Sequence, residues 1–299
     1  MPLVTRKKKP AQRTRHGYCK LTGRPGAFVK SHLIPEALTS PSQPGAPLFQ
    51  YGDGPKPSRR WTSWYDSELV TRAGEDILSA LDTWAIAVLR EHKLVWSGWG
   101  EAVELGELHT KFSEHLGIRE VSLDTKKLRT FFLSLLWRAA ASERYEFKDV
   151  VLPSKDLEVL RKIVLGQEEP DPDFYPVQLT QISTKGLMHN QTPYPDIKYI
   201  PDIENENTAP YPMKTIRFYF DGLIAHFATE LPPSHNASNL GNIVVGTEPT
   251  VVLSTVTFED SMQGREMYAV LEKYHPEDNG LGKLLPNNSV KPMPLRGEA

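Results

Sequence analysis

The hydrophobic period of this chain changes once, and the change limits what the chain can fold into. Up to Gly166 apolar residues recur at helical spacing; beyond an acidic, proline-rich stretch at 168–176 (EEPDPDFYP) they alternate with polar ones. A period near 3.6 buries one stripe of a helix, and a period of 2 buries one face of a strand. The expected class is therefore α+β, with a central helical region and a C-terminal antiparallel β-rich region following a small N-terminal unit. The expected divisions are a basic flexible arm at 1–15, the N-terminal unit and its helix at 16–95, a helical region at 96–167, a β-rich region at 168–285 and an irregular tail at 286–299.

Four helices are expected before the linker. Asp66 or Ser67 would cap the first, whose face carries Val70, Ala73, Ile77, Leu81, Trp84, Ala85, Val88 and Leu89 and which ends near His92. A second is expected at 104–116, stopped by Gly117. Leu128, Phe131, Phe132, Leu135, Leu136 and Ala139 form the broad apolar face of a third, capped by Ser122 or Asp124. A fourth is capped by Ser154, carries Leu157, Leu160, Ile163 and Val164, and stops at Gly166. Past the linker, 177–182 alternates, and Asp221-Gly222 joins 216–220 to 223–227 with the positive φ angles of a tight hairpin turn. Further strands are expected at 241–245 and 250–258. Residues 39–60, rich in Pro, Gly and Ser, read as a loop.

The formal net charge of −2 conceals a polarity. Residues 1–30 carry nine Lys/Arg and no acid, whereas 167–299 carry nine Lys/Arg against eighteen Asp/Glu. A basic N-terminal part suggests an anionic partner, with a plain solubilising tail as the ordinary alternative. The expected nucleic-acid contacts are Arg6, Lys7, Lys8, Lys9, Arg13, Arg15 and Lys20, joined by Arg59 and Arg60 beside Trp61, Trp64 and Tyr65. The acidic C-terminal part offers a surface for a protein partner. The single cysteine, Cys19, excludes an intrachain disulfide and a cysteine-rich zinc site, and fits a reducing, cytoplasmic setting. The apolar runs are far short of a membrane span, so no membrane partner is expected. No P-loop, dinucleotide glycine fingerprint or Gly-x-Ser-x-Gly elbow is present.

Three segments carry a resemblance: Cys19-Lys20-Leu21-Thr22, Ser31-His32-Leu33-Ile34-Pro35, and Leu69-Val70-Thr71-Arg72-Ala73-Gly74-Glu75. Together they resemble the HNH, or ββα-metal, endonucleases, many of which frame a histidine-bearing strand with two Cys-x-x-Cys pairs on a treble-clef zinc site. The resemblance runs from His16 to about Arg90. It implies an HNH-like treble-clef finger, with His32 as the general base that activates water against a phosphodiester. It places the middle catalytic position near Asp66, and a ligand for one divalent cation such as Mg at Glu75. The chain departs from the pattern at Thr22, Thr71 and Gly74, where cysteines are usual, so a structural zinc is not expected. It departs again at Ser31, where a metal-binding Asp or His usually stands.

Two functions follow from the resemblance. One is a metal-dependent endonuclease acting through His32. The other is a catalytically inactive nucleic-acid-binding or protein-interaction module on a zinc-free treble clef, such as a component of a bacterial defence system. Each residue also has an ordinary reading: His32 as a hydrogen-bonded strand residue, Asp66 as a helix cap, Glu75 as a first-turn carboxylate, and Cys19 as a small buried apolar side chain.

Overall fold

The computed structural model describes residues 15–39, 48–52, 56–200, 211–231 and 237–274. The chain opens with an antiparallel hairpin, β1 (His16–Tyr18) and β2 (Pro25–Ala27), folded around the turn that holds Cys19. Then come β3 (Ser31–His32), β4 (Leu48–Tyr51), β5 (Ser58–Arg60) and β6 (Tyr65–Asp66). β3 pairs with β6, and β4 pairs with β5, both antiparallel. The first long helix, α1 (Arg72–Glu91), begins after Thr71. It does not begin at Asp66 or Ser67, because Asp66 is held in a strand. Its predicted end holds, with His92 at the C-cap.

The helix expected at 104–116 does not form. That stretch contains a 3-10 turn at Gly106–Leu108, then β7 (Thr110–Lys111) and β8 (Leu116–Ser122). Leu105, Leu108, Phe112 and Leu116 fall at helical spacing, but β8 is read correctly only by its period of 2. Gly117, Arg119 and Val121 are buried, while Leu116, Ile118, Glu120 and Ser122 are exposed. Gly117 is not a helix stop: it lies within β8, where a Cβ would stand 2.4 Å from the Thr110 carbonyl oxygen.

α2 (Thr125–Ala141) follows, with the Asp124 carboxylate accepting a 3.0 Å hydrogen bond from the Lys127 amide. α3 (Ser154–Val164) ends where expected, but Ser154 is its first helical residue rather than its cap, and Pro153 stands at the N-cap. Gly166 takes φ +68, and the Gln167 amide donates back to the Lys162 carbonyl, a left-handed helix stop. The strands then run β9 (Val177–Ile182), β10 (His189–Gln191), β11 (Tyr194–Ile200), β12 (Tyr211–Phe220) and β13 (Leu223–Ala228). A short α4 (Ala237–Leu240) and a 3-10 turn at Gly241–Ile243 replace the strand expected at 241–245. β14 (Thr250–Val256) and α5 (Met262–Tyr274) complete the described chain; the sequence reading did not anticipate α5.

Seven strands form one sheet in the order β11-β12-β13-β9-β14-β8-β7. It is mixed rather than wholly antiparallel, because β14 runs parallel to β9. It also takes β7 from the segment read as a helix, and β8, which follows that segment. The β12–β13 turn is the expected one, with Asp221 at φ 53 and Gly222 at φ 81.

α2 fills the middle of the helical layer and is buried along almost its whole length. Its Phe132 ring stacks on Phe220 and meets Phe227 edge-on, at 6.3 and 6.5 Å between centroids, which seats the helix on β12 and β13. The opposite face of these strands carries a second core of Phe49, Tyr51, Trp96, Ile182, Tyr219, Phe258 and Met267. β4 belongs to this core and pairs in parallel with β10, so the stretch read as a loop contains a buried strand.

Buried arginines tie the layers together. Arg119 of β8 donates to the His92 and Lys93 carbonyls at the C-terminal end of α1 and to Gln181 of β9. Arg129 of α2 holds the linker through the carbonyls of Asp171, Pro172 and Phe174. In the second core, Gln263 of α5 donates to Tyr51 Oη at 2.6 Å and to His189 Nε2 at 2.7 Å, and accepts from Arg217 at 2.7 Å. Burial pushes the His189 imidazole down to about 3, so it sits there neutral.

Candidate functional site

The Cys19 turn is built from local backbone chemistry. The Cys19 amide donates to the Arg24 carbonyl at 2.9 Å, and the Gly23 amide donates to the Cys19 carbonyl at 2.8 Å. Gly23 takes φ +69, a left-handed conformation that suits glycine. The segment leading into α1 docks against this turn. The Lys20 amide donates to the Leu69 carbonyl, the Val29 amide to the Val70 carbonyl, and Phe28 bridges to Thr71.

As a result, three positions surround the Cys19 sulfur, Thr22 from the same turn and Thr71 and Gly74 from about fifty residues along the chain. The Thr22 amide lies 3.4 Å from Cys19 Sγ, Thr71 also hydrogen-bonds the thiol, and a Cβ added at Gly74 would stand 2.7 Å from Sγ. Cys19 is 1% exposed. Burial pushes its thiol up, but the hydrogen bonds from Thr22 and Thr71 outweigh that and leave it below its ordinary value. One thiol, two threonines and a glycine do not make a tetrahedral zinc site.

The residues assigned to catalysis lie near this turn but do not converge. Ser31 pairs with Asp66, and His32 pairs with Tyr65. Neighbouring strand residues point to opposite faces, so His32 and Asp66 project to opposite sides of the ribbon. Asp66 is buried and accepts hydrogen bonds from the Glu68 amide and the Ser142 hydroxyl, each at 2.7 Å. The His32 ring packs edge-on against Tyr65, with Nε2 3.6 Å from a Glu36 carboxylate oxygen. Burial, with Lys30 nearby, lowers the imidazole from its ordinary value against the pull of Glu36 and Asp82. Glu75 stands in the first turn of α1, and its Oε2 is buried with no hydrogen-bond partner among the described residues. Among the described residues no three His, Cys, Asp or Glu side chains form a group that could hold a metal ion, and His32, Asp66 and Glu75 are no exception.

Beside the Cys19 turn lies a groove of about 1020 Å³ between the β1–β2 hairpin, β6 and the chain leaving α2. Tyr18, 74% exposed, stands on it, as do Phe28, Val29 and the partly exposed Tyr65. Four cations line it: Arg15, Lys20, Lys30 and Arg144. Arg15 pairs with Glu68, Lys20 pairs with Glu143 at 2.8 Å, and Arg144 makes a two-pronged contact with Glu146. Lys30 Nζ lies 4.3 Å over the Tyr65 ring, and the Arg144 guanidinium lies 5.9 Å from it.

Arg15 and Lys20 were expected as contacts for nucleic acid, and both reach this groove. Arg59 and Arg60 lie on β5, and Arg60 is close enough to Glu146 to act on its carboxylate. Arg6, Lys7, Lys8, Lys9 and Arg13 lie outside the described residues. The aromatic stretch at 61–65 divides: Trp64 is buried edge-on against Phe147, while Trp61 is exposed and Tyr65 turns outward to the groove. Sequence reading missed Tyr18, Lys30 and Arg144. Tyr18 had a signal, a tyrosine directly before the cysteine turn; Arg144 had none, because α2 brings it in from far along the chain. Comparison with known protein families, curated proteins and solved structures finds no match to this chain.

Proposed function

We propose that residues 16–95 form a zinc-free treble-clef finger of the HNH-like kind, and that it serves as a nucleic-acid-binding module. One observation carries the reading. Positions 19, 22, 71 and 74 are the four that the resemblance assigns to zinc ligands, and they meet around Cys19 Sγ although only one is a cysteine. Buried apolar residues beside them, Leu21, Leu69, Val70 and Leu78, supply the cohesion that a metal would otherwise give. The opposed directions of His32 and Asp66 favour binding over hydrolysis by that pair. The basic chain leading into the groove at Arg15 suits a polyanion.

Two measurements test the proposal. Rebuilding the ligand set with Thr22→Cys, Thr71→Cys and Gly74→Cys together should create a four-thiolate site that takes up one Zn²⁺, or Co²⁺ with its tetrahedral absorption bands. A folded triple variant that takes up neither metal would count against the treble-clef reading. For binding, labelled oligonucleotides should show salt-sensitive association by fluorescence anisotropy, without turnover. Mg²⁺-dependent cleavage that disappears in His32→Ala would reverse the choice between module and nuclease.

A further inference from the structure

We infer that the Tyr18–Tyr65 groove takes single-stranded nucleic acid, stacking bases on its aromatic rings, in preference to duplex. The inference rests on the nucleic-acid-binding reading above and names its substrate class. Charge is the first ground. A duplex is held mainly through many phosphates, and each phosphate needs a cation. Of the four cations lining the groove, three are engaged by carboxylates, Arg15 by Glu68, Lys20 by Glu143 and Arg144 by Glu146. Lys30 is the lining cation set over a ring instead, 4.3 Å above Tyr65. The groove itself therefore offers little net positive charge to a row of phosphates.

Its rings are the second ground. Tyr18 is 74% exposed and Tyr65 37% exposed, with Phe28 and Val29 on the same groove. A base of a single strand can lie on the exposed Tyr18 ring, and Lys30, set over Tyr65, can reach the adjoining phosphate. A base inside a duplex has both faces covered and gains nothing from them. Counter-charge for a polyanion is present in the sequence that precedes Arg15, where residues 1–14 carry five Lys/Arg and no acid. The work is thus divided between a groove that recognises exposed bases and the basic residues 1–14, whose charge gives the salt dependence.

The division can be tested on the full chain with labelled strands of about 12 nucleotides, single-stranded DNA, single-stranded RNA and duplex DNA, over a salt series. At least one single strand should bind more tightly than duplex of the same length. Tyr18→Ala should weaken single-strand binding about tenfold with the salt slope unchanged, and Tyr18→Phe should bind as the wild type. Deleting residues 1–14 should flatten the slope while leaving the single-strand preference in place. Tyr18 is exposed, so its variants should keep the wild-type circular dichroism. Duplex binding as tight as single-strand binding, or Tyr18→Ala and Tyr65→Ala binding like the wild type, would overturn the inference while leaving the nucleic-acid reading intact. Absence of binding to any strand at low salt would remove both.

Discussion

Asp221 shows how a single turn residue can hold folding free energy in reserve. The hairpin needs a positive φ there, and aspartate tolerates it. The tertiary structure then buries that turn against Trp96 and Ser97, whose amides donate to the Asp221 carbonyl and carboxylate. Burial raises the carboxyl from an ordinary 3.8 to about 6, against the hydrogen bonds from Ser97 and the charges of Arg90 and Lys185. A raised folded value means that this group's contribution to stability is fully present below pH 3.8 and is lost as pH rises through 6. Asp221→Asn keeps the turn preference and an acceptor for the Ser97 amide without the buried charge. It should stabilise the protein by about 3 kcal/mol at pH 7 and by almost nothing below pH 4, read from urea unfolding at the two pH values.

At the scale of elements, α2 is the one on which the others depend. Its Arg138, 1% exposed, clasps Asp82 of α1 with two hydrogen bonds of 2.9 and 2.5 Å and donates to the His32 carbonyl of β3 at 3.2 Å. One side chain thus fixes helix to helix and helix to the strand that carries His32. Arg138→Met should cost about 3–5 kcal/mol in urea unfolding, because it strands the Asp82 carboxylate with no partner. Arg138→Met with Asp82→Leu should recover most of the loss, since a buried ion pair exchanged for apolar packing is often neutral. The helix itself was legible from its apolar face and its Asp124 cap. The clasp was not, because no local pattern tells a solvent-facing arginine from one that will be covered.

At the scale of the molecule, the linker at 168–176 separates two hydrophobic periods but not two sheets. β8, before it, pairs along its whole length with β14, after it, and Arg119 reaches Gln181. The N-terminal part is sewn in as well, through β4 on β10. A fragment of residues 1–167 should therefore lack a cooperative unfolding transition. Mixing it with 168–299 during refolding should restore one, as followed by circular dichroism.

The sequence by itself determined the local chemistry of this protein. It set the Asp124 cap of α2, the Gly166 stop of α3 and the Asp-Gly hairpin. These were legible because capping, hydrophobic period and positive φ are decided within a few residues. Tertiary structure decided that 104–116 is not a helix, since β7 pairs with β8 and β8 with β14, which overrode an accidental helical spacing. It also decided that His32 and Asp66 face apart, and that Tyr18, Lys30, Tyr65 and Arg144 share one groove. Those outcomes depend on contacts between residues tens of positions apart, whose energies arise only when the whole chain has packed.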